Sequence, residues 1–173
     1  QCHYMAEAEL ADSITTIGAA AFNLCYDLTS VDLPENLITL DDAAFRGAGL
    51  TSVELPENVK SIGARVFDGC KLTSVKLNDG LESIGDYAFD FAAGLTELVI
   101  PDSVTTINGN VFINCSSLSN ITIFANVIYI GNSAFANCNN LVAVNYVGSA
   151  EQFAQITIEP GNDLFINASI NYK

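Results

Sequence analysis

Residues 50–72 read LTSVELPENVKSIGARVFDGCKL. Val53-Glu-Leu55 alternates apolar and polar side chains, the period-2 signature of a short strand, and Pro56 can end that strand because it has no N–H to add to a ladder. The stretch repeats in both directions. Phe67 belongs to the series Phe22, Phe45, Phe67, Phe89, Phe112 and Phe135, at intervals of 23, 22, 22, 23 and 23 residues. An apolar residue stands five positions before each, at Ile17, Leu40, Ile62, Ile84, Ile107 and Ile130. Another lies three before that, at Ile14, Leu37, Val59, Leu81, Val104 and Val127. The strand signal keeps step: Leu28-Thr-Ser-Val31-Asp-Leu33, Leu72-Thr-Ser-Val75-Lys-Leu77, Leu95-Thr-Glu-Leu98-Val-Ile100, Leu118-Ser-Asn-Ile121-Thr-Ile123 and Leu141-Val-Ala-Val144-Asn-Tyr146. A unit of 22 or 23 residues cannot bury its apolar side chains alone, but stacked copies form one continuous core with like positions above one another.

The same register organises the ends. Met5, Ala8 and Leu10 fall on the columns of Leu28, Val31 and Leu33, so residues 1–11 read as a partial repeat, residues 12–147 as the array, and the array is expected to continue N-terminally. From Val147 the pattern fails. Ser149-Ala-Glu-Gln152 reads as a capping box opening a short helical turn, and strand signals follow at Ile156-Thr-Ile158 and from Ala168 to Tyr172, after the turn Glu159-Pro-Gly-Asn162. Residues 148–173 are therefore expected to cap the open face of the last repeat.

The consensus L-x-x-[VIL]-x-[LI]-P-x-x-[VL]-x-x-I-G-x-x-A-F-x-x-C resembles the BspA-like leucine-rich repeats of bacterial surface proteins, a group also expanded in some protozoa. Ser61-Ile-Gly-Ala-Arg-Val-Phe67-Asp-Gly-Cys70 and Ser83-Ile-Gly-Asp-Tyr-Ala-Phe89 carry the likeness well. Leu40-Asp41 in place of Ile-Gly, Asn108 in place of that Gly, and Asn78 and Phe124 in place of Pro are local departures that break no apolar column. The fold expected is a right-handed, β-rich leucine-rich repeat solenoid of 22–23-residue repeats with little α-helix. The resemblance implies secretion, surface display and adhesive or host-interacting roles, and it carries over no catalytic residue.

Composition narrows the function classes. Six Lys and Arg face 20 Asp and Glu, a formal charge of −14, which opposes a phosphate-backbone partner. Mean hydropathy is +0.33, yet no run approaches the 18 or more apolar residues of a membrane helix, so no membrane insertion is expected. No cofactor motif appears, and no glycine-rich phosphate loop. The single histidine, His3, sits at the chain end, far from any base–nucleophile pairing, and the reading is non-enzymatic. Asp41 and Asp42, with Asp86 about 10 Å away at strand spacing, are read as solvated acidic turns rather than a metal site.

Cys2, Cys25, Cys70, Cys115 and Cys138 have no C-x-x-C spacing and share one column. Stacked side chains point in parallel, so buried free thiols are favoured over disulfides. Beside that column, Asn114 and Asn137 stand where Gly69 stands in another repeat and are expected to adopt a left-handed turn conformation.

Binding is expected on the outward strand positions, because a parallel ladder presents them as an extended face. One outward column reads Asp32, Glu54, Lys76, Val99, Thr122, Asn145, and the other reads Ser30, Ser52, Ser74, Glu97, Asn120, Ala143. Residues 1–102 hold 17 acids and five bases, whereas residues 103–150 hold no charge and ten asparagines, with Phe124 and Tyr129 placed where a turn could expose them. That stretch reads either as an amide-rich patch for a protein or glycan partner on a host, a matrix or another microbe, or as a surface that merely stays soluble. The leading functional reading is a secreted or cell-surface recognition module. The alternative is a passive stalk spacing another domain from the cell envelope.

Overall fold

Each repeat folds into one turn of a parallel β-solenoid, and the computed structural model describes residues 4–173. Cys2 and His3 lie outside the described residues. Every turn contributes two short strands. The first set comprises β1 (Glu7–Ala8), β3 (Ser30–Val31), β5 (Ser52–Glu54), β7 (Ser74–Lys76), β9 (Glu97–Val99), β11 (Asn120–Phe124) and β13 (Ala143–Val147). The second comprises β2 (Thr16–Ile17), β4 (Thr39–Leu40), β6 (Ser61–Ile62), β8 (Ser83–Ile84), β10 (Thr106–Ile107) and β12 (Tyr129–Ile130). All pairings are parallel and in repeat register: Val53 lies beside Val75, Ile121 beside Val144, and Ile62 beside Ile84. The period of the sequence is therefore the period of the ladder, and α-helix among the described residues is confined to two four-residue segments, α1 (Ala150–Phe153) and α2 (Asp163–Ile166).

Between the second strand and the next repeat, the chain runs through consecutive turns carrying the phenylalanine column. Phe45, Phe67, Phe89, Phe112 and Phe135 are fully buried, and their rings stack along the solenoid with centroids 5.4 to 5.9 Å apart. Backbone hydrogen bonding there alternates. Residues such as Ala21, Asn23 and Cys25 donate three residues back within the turn, while Ala20, Phe22 and Leu24 donate to Asp42, Ala44 and Arg46 of the next turn. The pattern satisfies the main chain without a regular strand or helix. It requires left-handed residues twice per turn, for example Arg65 and Gly69, Tyr87 and Phe91, Asn110 and Asn114, and Asn137 in the last turn.

Phe91 is the least suited of these, a bulky side chain at φ 58° that is 57% exposed. Its backbone N–H donates to Ile113 O, a bond that needs the conformation but not the ring. Phe91→Asn should stabilise the fold by about 1 kcal/mol, because a short polar side chain that can hydrogen-bond to its own backbone is tolerated in the left-handed region far better than a bulky ring. An unchanged urea midpoint would show that the ring contributes packing of its own.

The thiol column is also structural. Cys70, Cys115 and Cys138 are buried and free, and their sulfurs donate to Phe45 O, Phe89 O and Phe112 O at 3.1, 3.2 and 3.1 Å. Cys25 departs from the expected free column: it is disulfide-bonded. The parallel-side-chain argument holds for the regularly stacked interior turns, and Cys25 sits in the first of the complete turns. Burial pushes the Cys70 and Cys138 thiols up to about 12 and raises Cys115 well above its ordinary value. The folded chain thus keeps thiols where the unfolded chain forms thiolates from about pH 9. Their contribution is intact below that pH and is lost as pH rises toward 12, at up to ~1.4 kcal/mol per pH unit for each thiol. Denaturant titrations from pH 8 to 11 should show this slope, and Cys138→Ala should make it shallower, leaving the share of Cys70 and Cys115. In native protein at pH 8 these three thiols should resist a thiol reagent that modifies them on unfolding.

Past the repeats, β14 (Thr157–Ile158) pairs with β12 and β15 (Ser169–Tyr172) pairs with β13, so both ladders gain a further rung. Ser149 caps α1 through a capping box with Gln152, as the sequence implied. Phe165 of α2 extends the ring stack, 4.7 Å from Phe135. Asn162, 1% exposed, accepts the Phe135 N–H through Oδ1 at 3.0 Å and donates to Gly131 O and Glu159 O at 2.9 and 2.7 Å. In earlier turns that N–H finds a main-chain carbonyl, such as Ala134 O for Phe112.

Candidate functional site

Strand alternation turns Val31, Val53, Val75, Leu98, Ile121 and Val144 inward and leaves two outward columns on the first sheet face. Two of the depressions on that face hold the outward columns. One, of about 630 Å³, lies over β3 and β5 and is lined by Ser30, Asp32, Ser52 and Glu54 together with Glu35 and Glu57. The other, of about 1090 Å³, lies over β7, β9, β11 and β13, and its lining includes Ser74, Lys76, Glu97, Val99, Asn120, Thr122, Phe124 and Asn145. The outward columns read from the sequence thus line two neighbouring grooves.

The floor changes character along the axis. Toward β3 and β5 the outward side chains are exposed carboxylates and hydroxyls; from Asn120 onward they are half-buried amides, hydroxyls and one aromatic ring. Lys76 and Glu54 form an ion pair across β5 and β7, and the Glu54 carboxylate raises the lysine's pKa above its ordinary value. Between two exposed side chains such a pair fixes their orientation and adds little stability. Val99 is 56% exposed in the centre of the larger groove, an apolar group the fold leaves uncovered.

Two expectations are corrected. Phe124 and Tyr129 are not turn residues: Phe124 ends β11 and lines the larger groove, whereas Tyr129 opens β12 in the other sheet. The chain turns between them, so they do not form one patch. Tyr129 shares its face with the outward Thr16, Thr39, Ser61, Ser83 and Thr106. This second sheet escaped the sequence reading because two-residue strands are too short to show alternation.

Three acidic residues away from this face have structural partners. Asp42 Oδ1 accepts the Ala64 N–H at 2.8 Å, and Asp68 receives Arg46 and Arg65 at 3.0 and 3.1 Å. Arg65 also stacks on Tyr87, 4.1 Å from the ring centroid. Burial raises the Asp90 pKa while Asn114 donates to its carboxylate at 2.9 Å, and Asn137 donates onward to Asn114 at 2.8 Å. Among the described residues, no three His, Cys, Asp or Glu side chains are grouped to hold a metal ion, and no helix is long and apolar enough to cross a membrane.

Solved structures share this architecture. A leucine-rich repeat protein from Bacteroides ovatus superposes with a TM-score of 0.73 at 21% identity, covering 92% of this chain and 52% of its own, so the chain spans about half of that protein's length. The leucine-rich repeat protein of T. pallidum gives a TM-score of 0.76 at 26% identity, over 82% of this chain and 72% of its own. The pneumococcal vaccine antigen PcpA gives 0.59 at 21% identity, over 81% and 40%. No curated protein matches the chain in sequence. The family model described as a BspA type leucine-rich repeat region matches in six copies, over residues 1–56 and 39–159. With the ladder, the ring stack and the repeat register all conforming, the chain belongs to the BspA-type leucine-rich repeat family.

Proposed function

We propose that the protein is a non-catalytic recognition module, secreted or displayed at a cell surface, that binds a protein or glycan through its first sheet face. The observation carrying this reading is the groove of about 1090 Å³ across four successive repeats, with Val99 uncovered at its centre and amide, hydroxyl and carboxylate groups around it. The surface location rests on the resemblance to bacterial surface repeats.

Glycan-array and matrix-protein panels, run with the whole chain and with a Val99→Asp, Asn120→Lys double variant, test the reading. Specific retention by the parent and at least a tenfold loss in the variant are expected. A passive stalk would retain nothing, or would retain the same ligands in both forms.

A further inference from the structure

The turn after each first-set strand places a carboxylate at one register position for five repeats running: Asp12, Glu35, Glu57, Asp79 and Asp102. The two following repeats put Ala125 and Gly148 there. All five acids are exposed, and among the described residues only Asp102 has a side-chain hydrogen-bond partner, Asn126 at 2.8 Å. Ladder spacing sets neighbouring members about 4.8 Å apart along the backbone, so the row is a line of mutually repelling charges. The main chain at these positions, not the side chains, ties one turn to the next, since Asn36, Asn58 and Asn126 bond the main-chain carbonyls of Asp12, Glu35 and Asp102. The carboxylates themselves are left to solvent.

Glu35 and Glu57 border the smaller groove, and Asp79 and Asp102 border the larger. Among the described residues, the one base lining either groove, Lys76, is already paired with Glu54. The face thus carries a row of depressions, acidic along one rim from β3 to β9 and uncharged over β11 and β13, with Val99 and Phe124 lining the larger one.

Resting on the recognition function above, we propose that the occupant of this face is an extended protein segment rich in Lys or Arg, its basic part against the acidic rim and its neutral part over β11 and β13. Charge complementarity selects the basic part, and Asn120, Thr122 and Asn145 offer hydrogen bonds to the neutral part. Seven rim positions at ladder spacing span about 29 Å, the length of roughly nine extended residues.

The test uses a ten-residue peptide with alternating Lys and Thr in its first half and Thr, Asn and Val in its second. Copies with Lys replaced by Gln or Glu, and a neutral oligosaccharide panel, serve as comparison ligands. The whole chain should bind the Lys peptide at least tenfold more tightly than either copy, with at least a tenfold loss between 50 and 300 mM NaCl. Combining Glu35→Gln, Glu57→Gln, Asp79→Asn and Asp102→Asn should weaken binding at least tenfold. A charge-matched variant away from the face, with Glu82→Gln, Asp86→Asn, Glu151→Gln and Glu159→Gln, should stay within twofold of the parent. Equal losses in the two variants, or equal binding of the Lys and Gln peptides, would overturn the proposal. Binding of an oligosaccharide alone, lost with Val99→Asp, would also overturn it while leaving the recognition function standing.

Discussion

Phe89→Ala is expected to destabilise the protein by about 3–5 kcal/mol, the cost of emptying a fully buried aromatic site that neighbours cannot refill. Phe89 lies mid-column, with Phe67 and Phe112 each 5.5 Å away, and both would lose a stacking partner. Phe22→Ala removes the same atoms from a half-buried ring with, among the described residues, one stacked neighbour, Phe45 at 5.1 Å, and should cost less than half as much. Solenoid stability sums repeat and nearest-neighbour terms, so the mid-column change should also separate unfolding into two steps, one for each flank. Urea titrations followed by far-UV circular dichroism decide this. Equal losses at the two positions would mean that the column does not couple the turns.

Asn162→Ala should cost about 2–4 kcal/mol, because it strands the buried Phe135 N–H and removes donors from two carbonyls at once. On this account residues 148–173 cap the array through a side-chain amide that stands in for the main-chain carbonyl of a further repeat. Asn162→Asp separates the two halves of the role. It keeps an acceptor for Phe135 but sets a carboxylate against Gly131 O and Glu159 O, so it should be destabilising at pH 7 and recover as the carboxyl protonates at lower pH. Amide exchange should locate the damage in the last two turns. A loss spread evenly over the array would argue against the capping role.

The parts of this fold that could be read from the sequence are those where packing demands sameness. Phe45 must sit on Phe67, and Ile62 on Ile84, so the columns repeat and the period is visible. The second sheet stayed hidden because Thr39–Leu40 and its counterparts are too short to alternate. The left-handed positions were readable at Asn114 and Asn137 but not at Arg65, Tyr87 or Phe91, where the inter-turn hydrogen bonds impose a conformation these side chains do not favour. Outward columns on the first sheet followed from alternation. The acidic rim did not, since it lies in turns and emerges only when successive repeats are laid side by side. Tyr129 was displaced from its expected patch by the unread second sheet.

The turn face has one more property. The N–H groups of its phenylalanine column donate toward the C-terminal end: Phe22 to Ala44, Phe45 to Val66, Phe67 to Ala88, Phe89 to Val111 and Phe112 to Ala134. This column therefore has a chemical arrow, with donors leading and acceptors trailing. A whole unit spliced between two turns meets an acceptor above and a donor below, so the protein behaves as an extensible ruler, graduated at about 4.8 Å per added repeat.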